Sequence, residues 1–144
     1  MTIPVATTKK ILLHIFLISA IFVVLFWGNT LSRQHSQFSL GEQAAARSEV
    51  ITAISAYSSA IHMYTPGSSL VKTAASRLWS LGESLERAGD TERALLAYNS
   101  LRSSCYAIRG LTNPCTEWIA RCDGKLAKLT VERSSPTKST NPNQ

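Results

Sequence analysis

The sequence lacks the short motifs that are typical of common catalytic sites. Its 144 residues contain no Gly-x-Ser-x-Gly motif, no phosphate-binding loop and no dinucleotide-binding fingerprint. The three cysteines follow the spacing Cys-x9-Cys-x6-Cys, which lacks the close pairing of a zinc or haem site, and the three histidines, His14, His35 and His62, lie far from them. We therefore expect no enzymatic activity, no metal site and no cofactor.

Acidic residues are also few. Nine Asp and Glu stand against 15 Lys and Arg, which gives a net charge of +6. Many acidic residues alternate with arginines, as at Glu83, Glu86 and Arg87, which is typical of a solvated helix face rather than of paired acid and base groups. The basic excess lies mostly after residue 100 and fits anionic lipid headgroups, an acidic partner or nucleic acid. Nucleic acid is not expected, because no basic motif interleaved with aromatic residues occurs.

Charge is absent from residues 11–27, which follow a short N-terminal tail of residues 1–10. As a helix, these 17 residues reach about 25 Å, the lower limit for crossing the hydrocarbon core of a bilayer. A buried core helix is the weaker interpretation, because the run is apolar on every side and the chain is too short to surround it. We therefore predict a transmembrane helix, and hence a lipid bilayer as partner, at residues 11–27.

A cleaved signal peptide is the alternative interpretation of the same run, since Lys9 and Lys10 give it a basic start. The run is longer than the usual 7 to 15 residues of a signal peptide, and Phe26-Trp27-Gly28-Asn29 does not resemble an Ala-x-Ala cleavage site. We favour an uncleaved signal-anchor. The two lysines before the run, against Arg33 after it, predict a single-pass protein of the cell membrane with a cytoplasmic N-terminus and an extracytoplasmic domain.

After the anchor, the pattern of apolar residues predicts an all-α chain with five further helices. We expect Gly28-Asn29-Thr30 to break the apolar run and Thr30 or Ser32 to cap a new helix, on which Phe38, Leu40, Ala44 and Ala45 would pack. The predicted helices span residues 32–46, 49–64, 68–88, 91–108 and 115–129, with Ser48-Glu49 and Asp90 as caps, Gly89 as a helix-ending residue, and breaks at Thr65-Pro66-Gly67 and Gly110–Pro114. Residues 130–144 are expected to be a disordered tail.

Residues 40–60 recur without a gap at residues 81–101. Leu40-Gly41-Glu42 aligns with Leu81-Gly82-Glu83 at an offset of 41. The same offset places Ala53, Ala56, Tyr57 and Ser59 over Ala94, Ala97, Tyr98 and Ser100. Self-similarity at a fixed period indicates stacked structural repeats, which usually form binding surfaces.

The second copy carries a recognisable pattern: Leu78-x2-Leu81-Gly82-x2-Leu85-x3-Gly89-Asp90-x3-Ala94-x3-Tyr98. It resembles a tetratricopeptide (TPR) repeat. The first copy departs from it at Gln37 and Ala44, and the period of 41 exceeds the usual 34. A half-unit at the same offset, Ile119-x2-Cys122-Asp123-x2-Leu126, resembles a capping helix. The resemblance implies a short TPR-like α-solenoid at residues 31–129, with units at about 34–66 and 68–108 and a capping helix at about 115–129.

In TPR proteins, the first helix of each unit lines a groove that receives a peptide or a partner helix. By that resemblance, the partner-binding groove would hold His35, Phe38, Glu42, Trp79, Glu83, Glu86 and Arg87. Core packing is the alternative for Phe38 and Trp79, and a solvated face is the alternative for the charged residues. We expect a protein partner, with the chain acting as an adaptor or assembly subunit of an envelope complex. A structural subunit that packs through its transmembrane helix is the main rival, and homo-oligomerisation is left open.

The odd number of cysteines leaves at least one free or paired outside the chain. Cys115 and Cys122 would lie about 10 Å apart on one helix, too far for a disulfide. An internal bond would therefore join Cys105 to Cys115 or to Cys122. Buried reduced thiols are the alternative, and an unpaired cysteine would allow a thiol-linked partner.

Overall fold

A computed structural model describes residues 5–65, 68–110 and 113–134, with side chains from residue 9 onward. The predicted break at Pro66-Gly67 and the chain after residue 134 lie outside these ranges. All regular structure in the described residues is helical, as predicted, and no strand occurs among them. The five helices are α1 (Val5–Ala46), α2 (Val50–His62), α3 (Leu70–Arg87), α4 (Thr91–Ala107) and α5 (Thr116–Ser134).

Helix α1 runs through the apolar segment and the first helix of the repeat without interruption. The expected break at Gly28-Asn29-Thr30 and the new cap at Thr30 or Ser32 are therefore wrong. A single glycine inside a helix costs only about 1 kcal/mol relative to alanine, too little to end a long helix. The Thr30 hydroxyl donates a hydrogen bond of 3.0 Å to the carbonyl oxygen of Phe26, so it bonds back into the same helix instead of capping a new one.

Within the described part of the chain, α1 is the helix that is long and apolar enough to cross a membrane. The large apolar side chains from Ile11 to Trp27 are 52–73% exposed. The first buried side chain along α1 is that of Gln34. An apolar surface of this size needs cover from outside the helix, and the rest of the described chain does not supply it.

The turn between α3 and α4 has the geometry predicted for it. Gly89 has a φ of 77°, the left-handed region that glycine favours, and the Asp90 N–H donates to the carbonyl oxygen of Leu85 (2.9 Å). The Asp90 carboxylate then accepts from the N–H of Arg93 (3.1 Å) and caps α4. The roles of Gly89 as a helix-ending residue and Asp90 as a cap are confirmed.

The turn between α1 and α2 repeats this geometry 41 residues earlier. Ser48, which aligns with Gly89, has a φ of 61°, and the Glu49 N–H donates to the carbonyl oxygen of Ala44 (2.9 Å). Glu49 occupies the cap position, but its side chain makes no capping hydrogen bond. The backbone of the turn is therefore preserved although serine replaces glycine and the cap is lost.

Each helix packs on the one before it, and α2 contacts both α3 and α4. Because successive helices reverse direction, the end of the domain where α1 leaves the apolar segment also holds the last turns of α2 and α4 and the first turns of α3 and α5. We call it the near end. The turns α1–α2 and α3–α4 lie at the opposite, far end. The hydrogen bond between Gln34 and Ala60 marks the near end, and the ion pair between Arg133 and Glu92 (3.2 Å) marks the far end.

The core fills the space between these helices and consists mostly of alanines and branched aliphatic residues. Its fully buried side chains include Ile61, Val71, Leu78, Tyr98, Leu101, Cys105, Cys115, Cys122 and Leu129. Two residues expected to pack on α1 do not: Leu40 is 44% exposed and Ala45 is exposed, whereas Ala44 is buried and Phe38 is partly buried. Leu81, which aligns with Leu40, packs partly against the core. Leu40 belongs to the first unit and has no hairpin before it to cover it.

Helix α5 begins one residue after the predicted start at Cys115 and continues five residues past Leu129. Residues 130–134 of the predicted disordered tail are thus helical, and the remainder of that tail lies outside the described residues. The ion pair between Arg133 and Glu92 holds this last turn against the start of α4.

Candidate functional site

Each of the two hairpins is closed by a glycine that packs against a tyrosine ring. A Cβ atom on Gly41 would lie 2.7 Å from ring carbons of Tyr57, and one on Gly82 would lie 2.7 Å from a ring carbon of Tyr98. Such distances are too short for carbon atoms in a close-packed interior, so both contacts require the missing side chain of glycine. The 41-residue copy in the sequence therefore corresponds to one contact that occurs twice in the structure.

The tyrosine of the first hairpin connects it to α3. Its hydroxyl donates to Oε1 of Glu42 (2.7 Å), and the same oxygen forms an ion pair with Nε of Arg77 on α3 (3.1 Å). Burial, followed by the nearby Glu42 carboxylate, raises the pKa of Tyr57 above its usual value. The phenol consequently remains a hydrogen-bond donor, and Glu42 is held between two partners.

The tyrosine of the second hairpin connects it to α5 in the same way but through a different carboxylate. The Tyr98 hydroxyl donates to Oε2 of Glu86 (3.0 Å), which also accepts from Nζ of Lys125 (2.5 Å). Lys128 lies 3.8 Å from the other carboxylate oxygen. The hydrogen bond from Lys125 is the main cause that lowers the pKa of Glu86, and burial is the main cause that raises the pKa of Tyr98. Glu83, which aligns with Glu42, is left without this role.

An open cleft of about 460 Å³ lies beside this connection, between α3 and α5. It is lined by Glu83, Glu86, Arg87 and Lys125, so three of the predicted groove residues come together there. Glu86 and Lys125 neutralise each other, whereas the Glu83 carboxylate makes no ion pair among the described residues. Nε of Arg87 donates to the backbone oxygen of Glu83 (3.3 Å), which leaves the rest of its guanidinium available. The cleft thus presents one free carboxylate and one free cation, one helical turn apart.

Trp79 is a core residue and does not line this cleft. Its side chain is only 8% exposed, with ring centroids 5.0 Å from Tyr98 and 5.7 Å from Trp118. The guanidinium of Arg121 lies 4.9 Å from the Trp79 ring and 4.8 Å from the Trp118 ring, where cation–π attraction holds it over both indoles. The predicted groove position of Trp79 is corrected to the alternative, core packing between the second hairpin and α5.

The groove residues predicted from the first copy do not join the others. His35 is exposed on α1, Phe38 packs with its ring 5.9 Å from that of Tyr57, and Glu42 is engaged by Tyr57 and Arg77. None of the three lines the cleft between α3 and α5. The predicted groove therefore divides into a junction between α1 and α3, where the polar groups are already paired, and the open cleft between α3 and α5.

The sequence interpretation missed the residues that complete these junctions, namely Arg77, Arg121 and Lys125. Lys125 binds Glu86 across 39 residues of sequence, so no local spacing relates the two. One indication was available: Lys125 follows Cys122 by three residues and hence lies beside the apolar side of α5. Only the offset of 41 between the repeats could have suggested which earlier helix that side meets.

The cysteines form one disulfide and leave one thiol. Cys105, near the end of α4, is bonded to Cys115, just before α5, with Cα atoms 5.6 Å apart. This is the first of the two pairings that the sequence left open. Cys122 is free and buried, and burial is the main cause that raises its pKa to about 12. A protonated thiol inside the core does not attack an external disulfide, which argues against a thiol-linked partner through Cys122.

Within residues 9–65, 68–110 and 113–134, no group of three or more His, Cys, Asp or Glu side chains is placed to hold a metal ion. Comparison of the chain with protein-family models, with curated proteins and with solved structures gave no match.

Proposed function

We propose that this chain is a single-pass membrane protein whose helical domain, built from TPR-like repeats, binds another protein at the cleft between α3 and α5. The observation that carries the proposal is the cleft itself, where Glu83 and Arg87 present opposite and unpaired charges beside a connection that is already neutralised. In this role the protein is an adaptor or an assembly subunit of an envelope complex.

The anchor is supported by the exposed apolar surface of α1. The large apolar side chains from Ile11 to Trp27 lie more than half exposed, as they would in contact with lipid, and the run carries no Asp, Glu, Lys or Arg. Lys9 and Lys10 precede the span and Arg33 follows it, so we place the N-terminus in the cytoplasm and the domain outside it.

The repeat assignment is supported by matched contacts at the offset of 41. The pairs Gly41–Tyr57 and Gly82–Tyr98 have the same approach, and the turns at Ser48 and Gly89 share their hydrogen bonds. Helix α5 then packs on the second hairpin where a third unit would begin. The equivalent helices α1, α3 and α5 would form the face on which TPR-like proteins bind their ligands.

The two unpaired charges in the cleft determine which charged groups a ligand must carry. Glu83 and Arg87 are four residues apart on α3, so their Cβ atoms lie about 5 to 6 Å apart along the helix. A peptide or partner helix with a basic and an acidic side chain at a similar separation would satisfy both. The backbone of the bound peptide or helix would cross the cleft between α3 and α5, beside the Glu86–Lys125 pair.

A charge exchange tests the proposal without changing the net charge. In the double variant Glu83→Lys with Arg87→Glu, proteins that cross-link to this chain in intact membranes should be lost, since both ligand contacts become repulsive. The matched control is Arg47→Glu with Glu49→Lys, which makes the same exchange at the exposed α1–α2 turn and should retain the partners.

A third variant, in which a foreign transmembrane sequence replaces residues 11–27, separates the rival function. If partners persist with the charge exchange and disappear with the foreign span, the interface is the transmembrane helix and the cleft proposal is wrong.

A further inference from the structure

The continuity of α1 determines which end of the domain lies next to the bilayer. Gln34, the first buried residue, lies seven positions after Trp27, the last residue of the apolar run, which corresponds to about 10 Å of helix. The polar headgroup layer is about 5 to 8 Å thick, and the Debye length is about 8 Å at physiological ionic strength. The near end of the domain is thus within electrostatic range of the headgroups.

The near end carries basic side chains that have no carboxylate partner. Arg33 lies on α1 just before the domain, Lys72 lies in the first turn of α3, and Arg109 follows the end of α4. None of these three forms an ion pair with the described part of the chain. Of the nine acidic residues of the sequence, only Glu117, in the first turn of α5, lies at this end.

Basic residues closer to the middle and to the far end are mostly paired, which makes the contrast informative. Their ion pairs are Arg77–Glu42, Arg93–Asp90, Arg102–Asp123, Lys125–Glu86 and Arg133–Glu92. Most cations in the middle and at the far end are thus paired, with Arg47 and Arg87 among the exceptions, whereas the three at the near end form no ion pair among the described residues.

Aromatic and hydroxyl groups accompany these unpaired cations. Tyr106 is 41% exposed and lies between Arg102 and Arg109, whose guanidinium carbons are 5.3 and 5.4 Å from its ring centroid. Tyrosine and arginine side chains are well suited to a membrane interface, because each joins an apolar body to a polar tip. On α3, an open cleft of about 350 Å³ places the ammonium group of Lys72 among hydroxyl groups, a combination suited to a phosphate group, while its second cation, Arg77, is already paired with Glu42. Its lining residues are Lys72, Thr73, Ser76, Arg77 and Ser80.

We infer that the near end of the domain, with Arg33, Lys72, Tyr106 and Arg109, binds the anionic phospholipid headgroups of the membrane in which α1 is anchored. This inference rests on the membrane anchoring proposed above and adds to it a second, lipid-specific contact. The contact holds the domain against the bilayer surface by charge, so it depends on lipid composition and on salt.

Hydrogen exchange of the full chain in nanodiscs tests this contact. The amides to follow are those of residues 68–72 and 106–110, which lie at the near end. We expect them to exchange on the order of fivefold or more slowly in nanodiscs of phosphatidylcholine with about one third phosphatidylglycerol than in phosphatidylcholine alone. Salt at about 0.5 M should remove most of the difference, since the Debye length then falls to about 4 Å.

Two variants with the same loss of charge identify the responsible residues. Arg33→Gln, Lys72→Gln and Arg109→Gln together should abolish the difference between the two lipid compositions. The control removes three cations near the far end, Arg47→Gln, Lys128→Gln and Arg133→Gln, and should preserve it.

The possible failures are distinguishable. If the chain remains with vesicles after an alkaline carbonate wash but exchanges equally in both nanodiscs, the headgroup contact is wrong while the anchor stands. Equal loss of protection in both triple variants would also overturn it, because net charge rather than the near end would then be responsible. Release of the chain by the wash would contradict the anchor and the headgroup contact together.

Discussion

The side-chain amide of Gln34 donates to the backbone oxygen of Ala60 across 26 residues of sequence, with a distance of 3.0 Å. Gln34 is fully buried, and this bond joins α1 to the last turn of α2 at the level where the apolar segment gives way to the packed domain. Its other polar atom, Oε1, has no hydrogen-bond partner among the described residues. The bond therefore fixes α2 to α1 at the cost of one unsatisfied acceptor.

Replacement of Gln34 separates these two effects. Gln34→Ala should lower the free energy of unfolding of the domain by about 2 kcal/mol, through the lost hydrogen bond and the lost packing. Gln34→Met fills the same space without a polar atom and should cost less than Gln34→Ala. Denaturant unfolding of the full chain in detergent measures both, and a larger loss in the methionine variant would show that Oε1 is satisfied after all.

The glycine–tyrosine contacts predict a sharp difference between glycines that all lie within helices. Gly82→Ala should destabilise the domain by about 1 to 3 kcal/mol, because the added methyl group would lie 2.7 Å from the Tyr98 ring. Gly124→Ala is the matched control. Its Cβ would meet nothing within 4 Å, so the variant should be neutral or up to about 1 kcal/mol more stable. Similar losses in both variants, measured by thermal unfolding, would contradict the contact.

The ion pair between Glu86 and Lys125 predicts a pH dependence of stability. Lys125 lowers the pKa of Glu86 in the folded state, so the stabilisation is present above the unfolded value of 4.5 and is lost as the pH falls through the lower folded pKa. Glu86→Gln should reduce the free energy of unfolding at pH 7 by at most about 1 kcal/mol, since the pair is partly exposed. The difference in the free energy of unfolding between this variant and the parent protein should disappear at acid pH.

Lys125→Met provides the second half of this cycle. The double variant should be little less stable than either single variant, because each removes the same interaction. Additive losses in unfolding experiments at pH 7 would show that the two residues do not act as a pair.

The disulfide between Cys105 and Cys115 predicts a pattern of thiol reactivity. Without reductant, the native chain should react slowly with an alkylating reagent, the denatured chain should take up one label, on Cys122, and the reduced and denatured chain should take up three. Mass spectrometry of protein purified without reductant counts the labels. Three labels before reduction would refute the bond.

Removal of the disulfide also predicts a loss of stability. Cys105→Ser with Cys115→Ser should lower the free energy of unfolding by about 3 kcal/mol, as estimated for a closed loop of this size, with a sequence separation of 10. Cys122→Ala is the control, which removes the free thiol and leaves the bond intact. An equal or larger loss in the control would place the stabilisation in core packing rather than in the bond.

The sequence predicted those parts of the fold that depend on local chemistry. Gly89 and Asp90 end α3 and begin α4 because a left-handed residue and a capping carboxylate act within one turn. Gly41 and Gly82, which align at the offset of 41, each meet a tyrosine ring. The left-handed backbone at Ser48 could not be predicted from the sequence, because serine disfavours that conformation and the hydrogen bonds of the turn hold it there.

The features that the sequence did not predict depend on contacts between residues far apart in the chain, or on patterns that fit two structures equally well. The break predicted at Gly28-Asn29-Thr30 does not occur, because one glycine costs a long helix only about 1 kcal/mol. The junctions between Gln34 and Ala60 and between Glu86 and Lys125 join residues with no sequence relation except through the tertiary packing. The sequence position of Trp79 fits both a core residue and a groove residue. Only its contacts with Trp118 and Arg121 show that it is a core residue.

Because α1 is unbroken, the proposed transmembrane segment and the first helix of the domain form one continuous helix. Ala46 lies 19 residues beyond Trp27, or about 28 Å along the helix. A tilt of about 20°, which is average for transmembrane helices, would therefore swing the far end sideways by about 10 Å. A rotation of the span about its own axis would turn the cleft between α3 and α5 by the same angle. Neighbouring transmembrane helices and the thickness of the bilayer would thereby set the direction in which the cleft faces.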